Sequence, residues 1–133
     1  KVSGLRGAER EAMIRSNLLG LMLHHPEPVD PLAMHMLMAN ARAARLSPVG
    51  LVMPDKVVAV LDRVAVPLDA IWGEFDLPHP DPAVQEAVLR RFQPDMDFRV
   101  IAGAGHWVMY ERPEAFNAAL LDMLARPPGE VTR

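Results

Sequence analysis

The chain has no cysteine, so disulfides and thiolate-held metals are excluded. Serine is nearly as scarce, with Ser3, Ser16 and Ser47 as the whole supply. The net charge is a mild -3 from 14 basic and 17 acidic groups. Such a balance lacks the basic patch that a nucleic-acid partner needs. No hydrophobic run approaches the roughly 20 residues that cross a bilayer. No signal peptide opens the chain either, so a cytoplasmic location with no membrane partner is expected. Aromatics are few at 5%, yet half the residues are apolar, which is enough in composition for a packed core.

The most informative stretch runs from Val100 to Pro113, Val-Ile-Ala-Gly-Ala-Gly-His-Trp-Val-Met-Tyr-Glu-Arg-Pro. A short apolar strand ends at Ala102, and Gly103 and Gly105 allow a sharp turn. His106 then stands where a helical pattern begins. An imidazole near its ordinary pKa of about 6.5 can take and return a proton at neutral pH. Upstream, Pro67 to Asp76 repeats the plan: strand, glycine, short loop, acid. The span between the two loops has the length of a βαβ unit, about 30 residues. A parallel pair sends both loops out at the carboxyl ends of its strands, so Asp76 and His106 can meet. A buried carboxylate behind a histidine fixes its tautomer and stabilises the imidazolium formed in proton transfer.

Trp72-Gly73-Glu74-Phe75-Asp76, Gly103-Ala104-Gly105-His106-Trp107 and Tyr110-Glu111-Arg112-Pro113-Glu114-Ala115-Phe116-Asn117 together resemble the carboxy-terminal half of an α/β-hydrolase. The match is strong from about Val66 to Leu124 and looser over the first 60 residues, which resemble the family's helical lid. The resemblance implies an α/β fold: a helical lid over residues 1–54, then, over residues 55–133, the last two parallel strands and helices of the sheet. It also implies Asp76 as the triad acid and His106 as the base. The family's chain order puts the nucleophile earlier, on a strand-to-helix elbow. None of the three serines lies in a Gly-x-Ser-x-Gly elbow, and no elbow for an aspartate nucleophile precedes Lys1. A separate amino-terminal fragment carrying the nucleophile and the oxyanion hole is therefore the expected partner. The start at Lys1 fits a processed or proteolysed piece. Self-association of the assembled enzyme is left open.

Taken in order, Glu9 to Leu23 reads as an amphipathic helix with Ile14, Leu18, Leu21 and Met22 on its apolar stripe. Asp30-Pro31 predicts a capped start for a second helix reaching Leu46. Leu32, Met34, Met36, Leu37 and Met38 are apolar nearly all round that helix, which predicts burial on several sides. Pro48 to Pro54 reads as a linker and Asp55 to Val64 as a short helix. Leu68 to Trp72 and Phe98 to Ala102 are the predicted strands. Between them Asp81 caps a helix with Val84, Ala87, Val88 and Phe92 inward. The closing helix, Pro113 to Leu124, should pack Phe116, Ala119, Leu120 and Met123 on the sheet, before a frayed tail from Pro127.

The methionines admit two readings. Met22, Met34, Met36 and Met38 can be core filler, because the thioether adapts to irregular gaps. In a lid they can instead line an apolar substrate pocket, and the resemblance then gives Met34, Leu37, Met38 and Trp107 as substrate-contacting residues. His24, His25 and His35 match no zinc spacing, and no metal or other cofactor is expected. Arg42 and Arg45 read as a polar helix face, or as a clamp for an anionic substrate end. Glu74 is expected to point elsewhere than Asp76 if the backbone there is still extended, and Glu111 reads as a structural acid pairing with Arg112 or the loop, of little energetic weight.

The resemblance extends to small carboxylesterases and to hydrolases that cleave carbon–carbon bonds of ring-fission products. The second group holds the substrate's charged end with an Arg-Trp pair in a lid helix, where this chain has Met36-Leu37-Met38. An apolar helix would leave a carboxylate buried and unpaired. An ester or similar acyl bond of a small, largely apolar molecule is the favoured substrate; carbon–carbon cleavage and a non-catalytic binding half-fold are the alternatives.

Overall fold

A computed structural model describes residues 4–45 and 56–125 of the chain. Ser3, Ser47, the boundary at residue 54, the Pro48 to Pro54 linker and the tail from Pro127 lie outside the described residues.

Helix α1, Gly7–Asn17, runs directly into a π-helical turn, Leu18–Met22, in place of the single helix expected over Glu9 to Leu23. The Leu23 amide donates to the Leu18 carbonyl at 2.8 Å, the wide ring of a π turn. Widening the turn rotates the side chains that follow, so Leu18 is fully buried and Leu23 nearly so, while Leu21 is 47% exposed. Helix α2, Pro31–Ala43, begins as expected: Asp30 accepts from the Ala33 N–H at 2.8 Å, and Pro31 occupies the first turn, where its missing N–H costs nothing. Together α1, the π turn and α2 form a hairpin around Ile14, Leu18, Leu23, Val29, Ala33 and Met34.

The prediction that α2 is buried on several sides is not met. Ala33 and Met34 are buried, but Leu32 is 56% exposed, because among the described residues only α1 and the π turn share a substantial contact with this helix.

Helix α3 is short, Val58–Leu61. Strands β1, Ala70–Gly73, and β2, Phe98–Ile101, pair in parallel with Ala70 opposite Phe98 and Gly73 opposite Ile101. Helix α4, Pro82–Arg90, joins them, capped by the Asp81 carboxylate on the Ala83 N–H. Gln93, just after α4, ties the crossover to the entry of β1 by accepting from the Leu68 amide and donating to the Val66 carbonyl, both at 2.7 Å. Helix α5, Val108–Glu111, and helix α6, Pro113–Ala125, follow β2. Arg99 on β2 pairs with Asp97 and with Asp122 of α6, fastening that helix to the sheet.

The packing is one-sided. Ala119 and Met123 of α6 are buried as expected, with Phe116 and Leu120 half-buried. The inward stripe expected of α4 is met only in part: Val88 and Phe92 are half-buried, but Val84 is 52% exposed and Ala87 is also exposed. Val100, Leu121 and Leu124 are likewise exposed. Complete parallel sheets have both faces covered, and a two-stranded one has little independent stability. Among the described residues, no helix is long and apolar enough to cross a membrane.

Candidate active site

The parallel register delivers both loops to one end of the sheet. They are laced together: the Glu74 amide donates to the Ile101 carbonyl at 3.1 Å and the Phe75 amide to the Ala104 carbonyl at 2.8 Å. Glu74 and Phe75 lie in a turn, not in extended backbone, and the Glu74 carboxylate accepts from the Gly103 N–H at 2.9 Å. Of the two loop glycines, Gly103 supplies the left-handed turn, at φ 65°. Gly105 is needed for space instead, since a Cβ there would lie 2.8 Å from the His24 nitrogen.

Asp76 is 4% exposed, and its Oδ2 lies 2.9 Å from Nδ1 of His106, 30 residues on. Its other oxygen accepts from the backbone N–H of His79 at 3.0 Å. An ionised Asp76 can only accept, so Nδ1 of His106 carries the shared proton and Nε2 keeps its lone pair. Among the described residues, Nε2 has no hydrogen-bond partner, and the His106 side chain is 36% exposed. Such an arrangement, an imidazole held by a buried acid with its other nitrogen unpaired among the described residues, can take and return a proton.

The loop bearing His106 is clamped from the helical hairpin. Glu111, 5% exposed, accepts from the backbone N–H groups of His24 at 2.9 Å, His25 at 2.6 Å and Gly105 at 2.6 Å. The Trp107 amide donates to the Met22 carbonyl at 2.8 Å. Glu111 is thus a buried junction and not a weak surface pair; its four-residue spacing after Trp107 gave no hint of that. His24 and His25 contribute backbone to the junction, and the His24 ring stacks on Phe75 at 3.9 Å. His35, Arg42 and Arg45 are exposed.

Leu37 and Met38 line an apolar cleft of about 140 Å³ between α1, the π turn and α2, together with Ile14, Leu21 and Met22. Met34 lies 6% exposed in the hairpin core, behind that wall. Trp107 is half-buried against the same core, its ring 6.0 Å from Tyr110. Arg10 also lines the cleft, and its Nε is buried with no partner among the described residues.

The sequence reading missed His79. Its ring lies 5.8 Å from that of His106, and its Nδ1 is 3.6 Å from Asp76 Oδ1. Asp76, His79 and His106 form a set with metal-ligating atoms within 4.8 Å of one another. The signal available was a histidine three residues after the acid in a proline-rich turn.

No protein-family model matches the chain, and no curated protein matches it. A solved structure, that of a thermophilic esterase from Thermogutta terrifontis with malate bound, is similar at a TM-score of 0.67 and 24% identity. The likeness covers 88% of this chain but only 44% of the esterase chain. The chain therefore shares the fold of part of that structure: a helical hairpin beside a parallel, helix-flanked pair of strands.

Proposed function

We propose that this chain is the lid, residues 1–54, and the carboxy-terminal core, residues 55–133, of an α/β-hydrolase that cleaves an ester or similar acyl bond. The observation that carries this reading is the 2.9 Å contact between His106 Nδ1 and a buried Asp76 carboxylate at the carboxyl end of a parallel strand pair. In the proposed reaction a nucleophile from an amino-terminal segment gives its proton to His106 Nε2 and attacks the acyl carbon. Asp76 stabilises the imidazolium. His106 returns the proton to the departing alcohol, then activates water to release the acid. The exposed apolar side chains of Val84, Val100, Leu121 and Leu124 support a missing partner, since uncovered faces of that kind mark an interface.

The cleft beside Leu37 and Met38 supports a small, largely apolar substrate. Mixing the chain with the amino-terminal segment and an activated aryl ester should restore turnover, and His106→Ala should remove it. Turnover that survives His106→Ala refutes the assignment.

One observation favours carbon–carbon cleavage as a second reading. The unpartnered Arg10 Nε in the cleft suits an anionic substrate end. Under that reading Arg10→Ala raises KM for an anionic ring-fission product and leaves KM for a neutral aryl ester unchanged.

A further inference from the structure

We infer that Asp76, His79 and His106 form a binding site for a single zinc ion, which silences the His106 imidazole when bound. Two imidazoles and a carboxylate are a donor set that zinc takes readily, with water completing a tetrahedron. Zinc bonds of about 2.0–2.1 Å at tetrahedral angles set donor atoms roughly 3.4 Å apart. The two shortest separations are 2.9 Å from His106 Nδ1 to Asp76 Oδ2 and 3.6 Å from His79 Nδ1 to Asp76 Oδ1, while one donor atom from each residue forms a set within 4.8 Å. The two rings and the carboxylate draw together around the ion to complete the geometry.

The orientation of His79 is the second line of argument. Its Nδ1 is sealed from solvent, faces the carboxylate, and has no hydrogen-bond partner among the described residues. At 3.6 Å it is too far from Asp76 Oδ1 for a hydrogen bond. A buried polar atom without a partner is destabilising, and a metal ion satisfies it. The His79 backbone N–H meanwhile fixes the carboxylate from the other side, the kind of support that ligating carboxylates usually have. The two imidazole side chains are 43% and 36% exposed, so the ion has a path in from solvent. Calcium and magnesium prefer oxygen donors and are poor occupants.

Zinc on His106 Nδ1 takes that nitrogen's lone pair, and the proton shared with Asp76 moves to Nε2, where it occupies the lone pair a base would use. The imidazole also loses the carboxylate that stabilises its charged form. The site stands on these three residues whatever reaction His106 serves.

The test is a calorimetric titration of the 133-residue chain with zinc chloride, joined by cobalt(II) absorption to report tetrahedral nitrogen and oxygen ligation. One zinc per chain is expected, with affinity lowered at least about tenfold in His79→Ala. A His24→Ala, His25→Ala double variant should bind as the parent does. Imidazole NMR signals of His79 and His106, but not of His35, should move on adding zinc, which checks the site without any substitution. No zinc uptake by the parent chain, unchanged affinity in His79→Ala, loss in the double variant, or movement confined to other histidines overturns the inference. In the assembled hydrolase zinc should inhibit ester turnover; binding is read separately, so an inactive assembly does not bear on the site.

Discussion

The carboxylate of Glu111 closes on the backbone of His24, 87 residues earlier, at 2.9 Å. It also holds the Gly105 amide, next to His106, at 2.6 Å. One buried acid thereby joins the end of the helical hairpin to the loop that carries the imidazole.

Glu111→Ala should therefore cost stability far beyond a surface pair. It leaves the Gly105 amide buried and unpaired, at about 1–3 kcal/mol, and takes the partner from the partly buried His24 and His25 amides. A loss of about 2 kcal/mol or more in urea unfolding is expected, with Glu111→Gln intermediate. A loss under about 1 kcal/mol would show that the junction is dispensable.

Asp76→Asn should preserve the fold while reversing the tautomer preference of His106. An amide that donates to Nδ1 places the proton on Nε2, where the base needs its lone pair. In the proposed assembled hydrolase kcat should fall about 10⁴-fold, with KM changed little; steady-state kinetics on an aryl ester measures both.

Gly73→Ala probes the close approach of the two loops. A Cβ at Gly73 would lie 2.2 Å from the Gly105 carbonyl oxygen and 2.6 Å from that of Ala104. The Ala104 carbonyl is already committed to the Phe75 amide, so the His106 loop must shift. The expected cost is about 3 kcal/mol, with the His106 NMR signals displaced. Unchanged signals would mean the loop accommodates the methyl group elsewhere.

The Tyr110 hydroxyl donates to Asp30 Oδ1 at 2.6 Å, linking α5 to the start of α2. This hydrogen bond, aided by the Ala33 amide, holds Asp30 below its ordinary value of 3.8. Burial, then the Asp30 contact, pushes Tyr110 up to about 12. For Asp30 the lowered folded value gives stability that is present above pH 3.8 and lost as pH falls below it. For Tyr110 the raised folded value gives stability that is complete below pH 10 and lost as pH rises towards 12. Hairpin docking, followed by Trp107 fluorescence, should be flat between these limits and fall on both sides. Tyr110→Phe should remove the alkaline limb.

Legibility in the sequence followed the range of the forces involved. Asp30-Pro31 and Asp81-Pro82 gave two helix starts correctly, because a cap is decided by neighbours within one turn. The two strands were placed within two residues at each end, since buried parallel strands are short apolar runs bounded by turns. The inward stripe of α4 and the all-round burial of α2 were met only in part, for a shared reason. A hydrophobic pattern states what a helix can bury, while burial itself depends on which other elements are there to cover it.

Local pattern alone determined the strand-loop-acid and strand-glycine-histidine segments, and so the nomination of Asp76 and His106, because each is a short-range arrangement of residue types. Only the tertiary structure decided that Glu111 is a buried clamp and that His79 turns an unpaired nitrogen toward the same carboxylate. It also decided that Met34 packs behind the cleft wall while Leu37 and Met38 line it. Those outcomes depend on side-chain direction and on contacts between residues far apart in the chain, which chain order does not encode until the backbone closes.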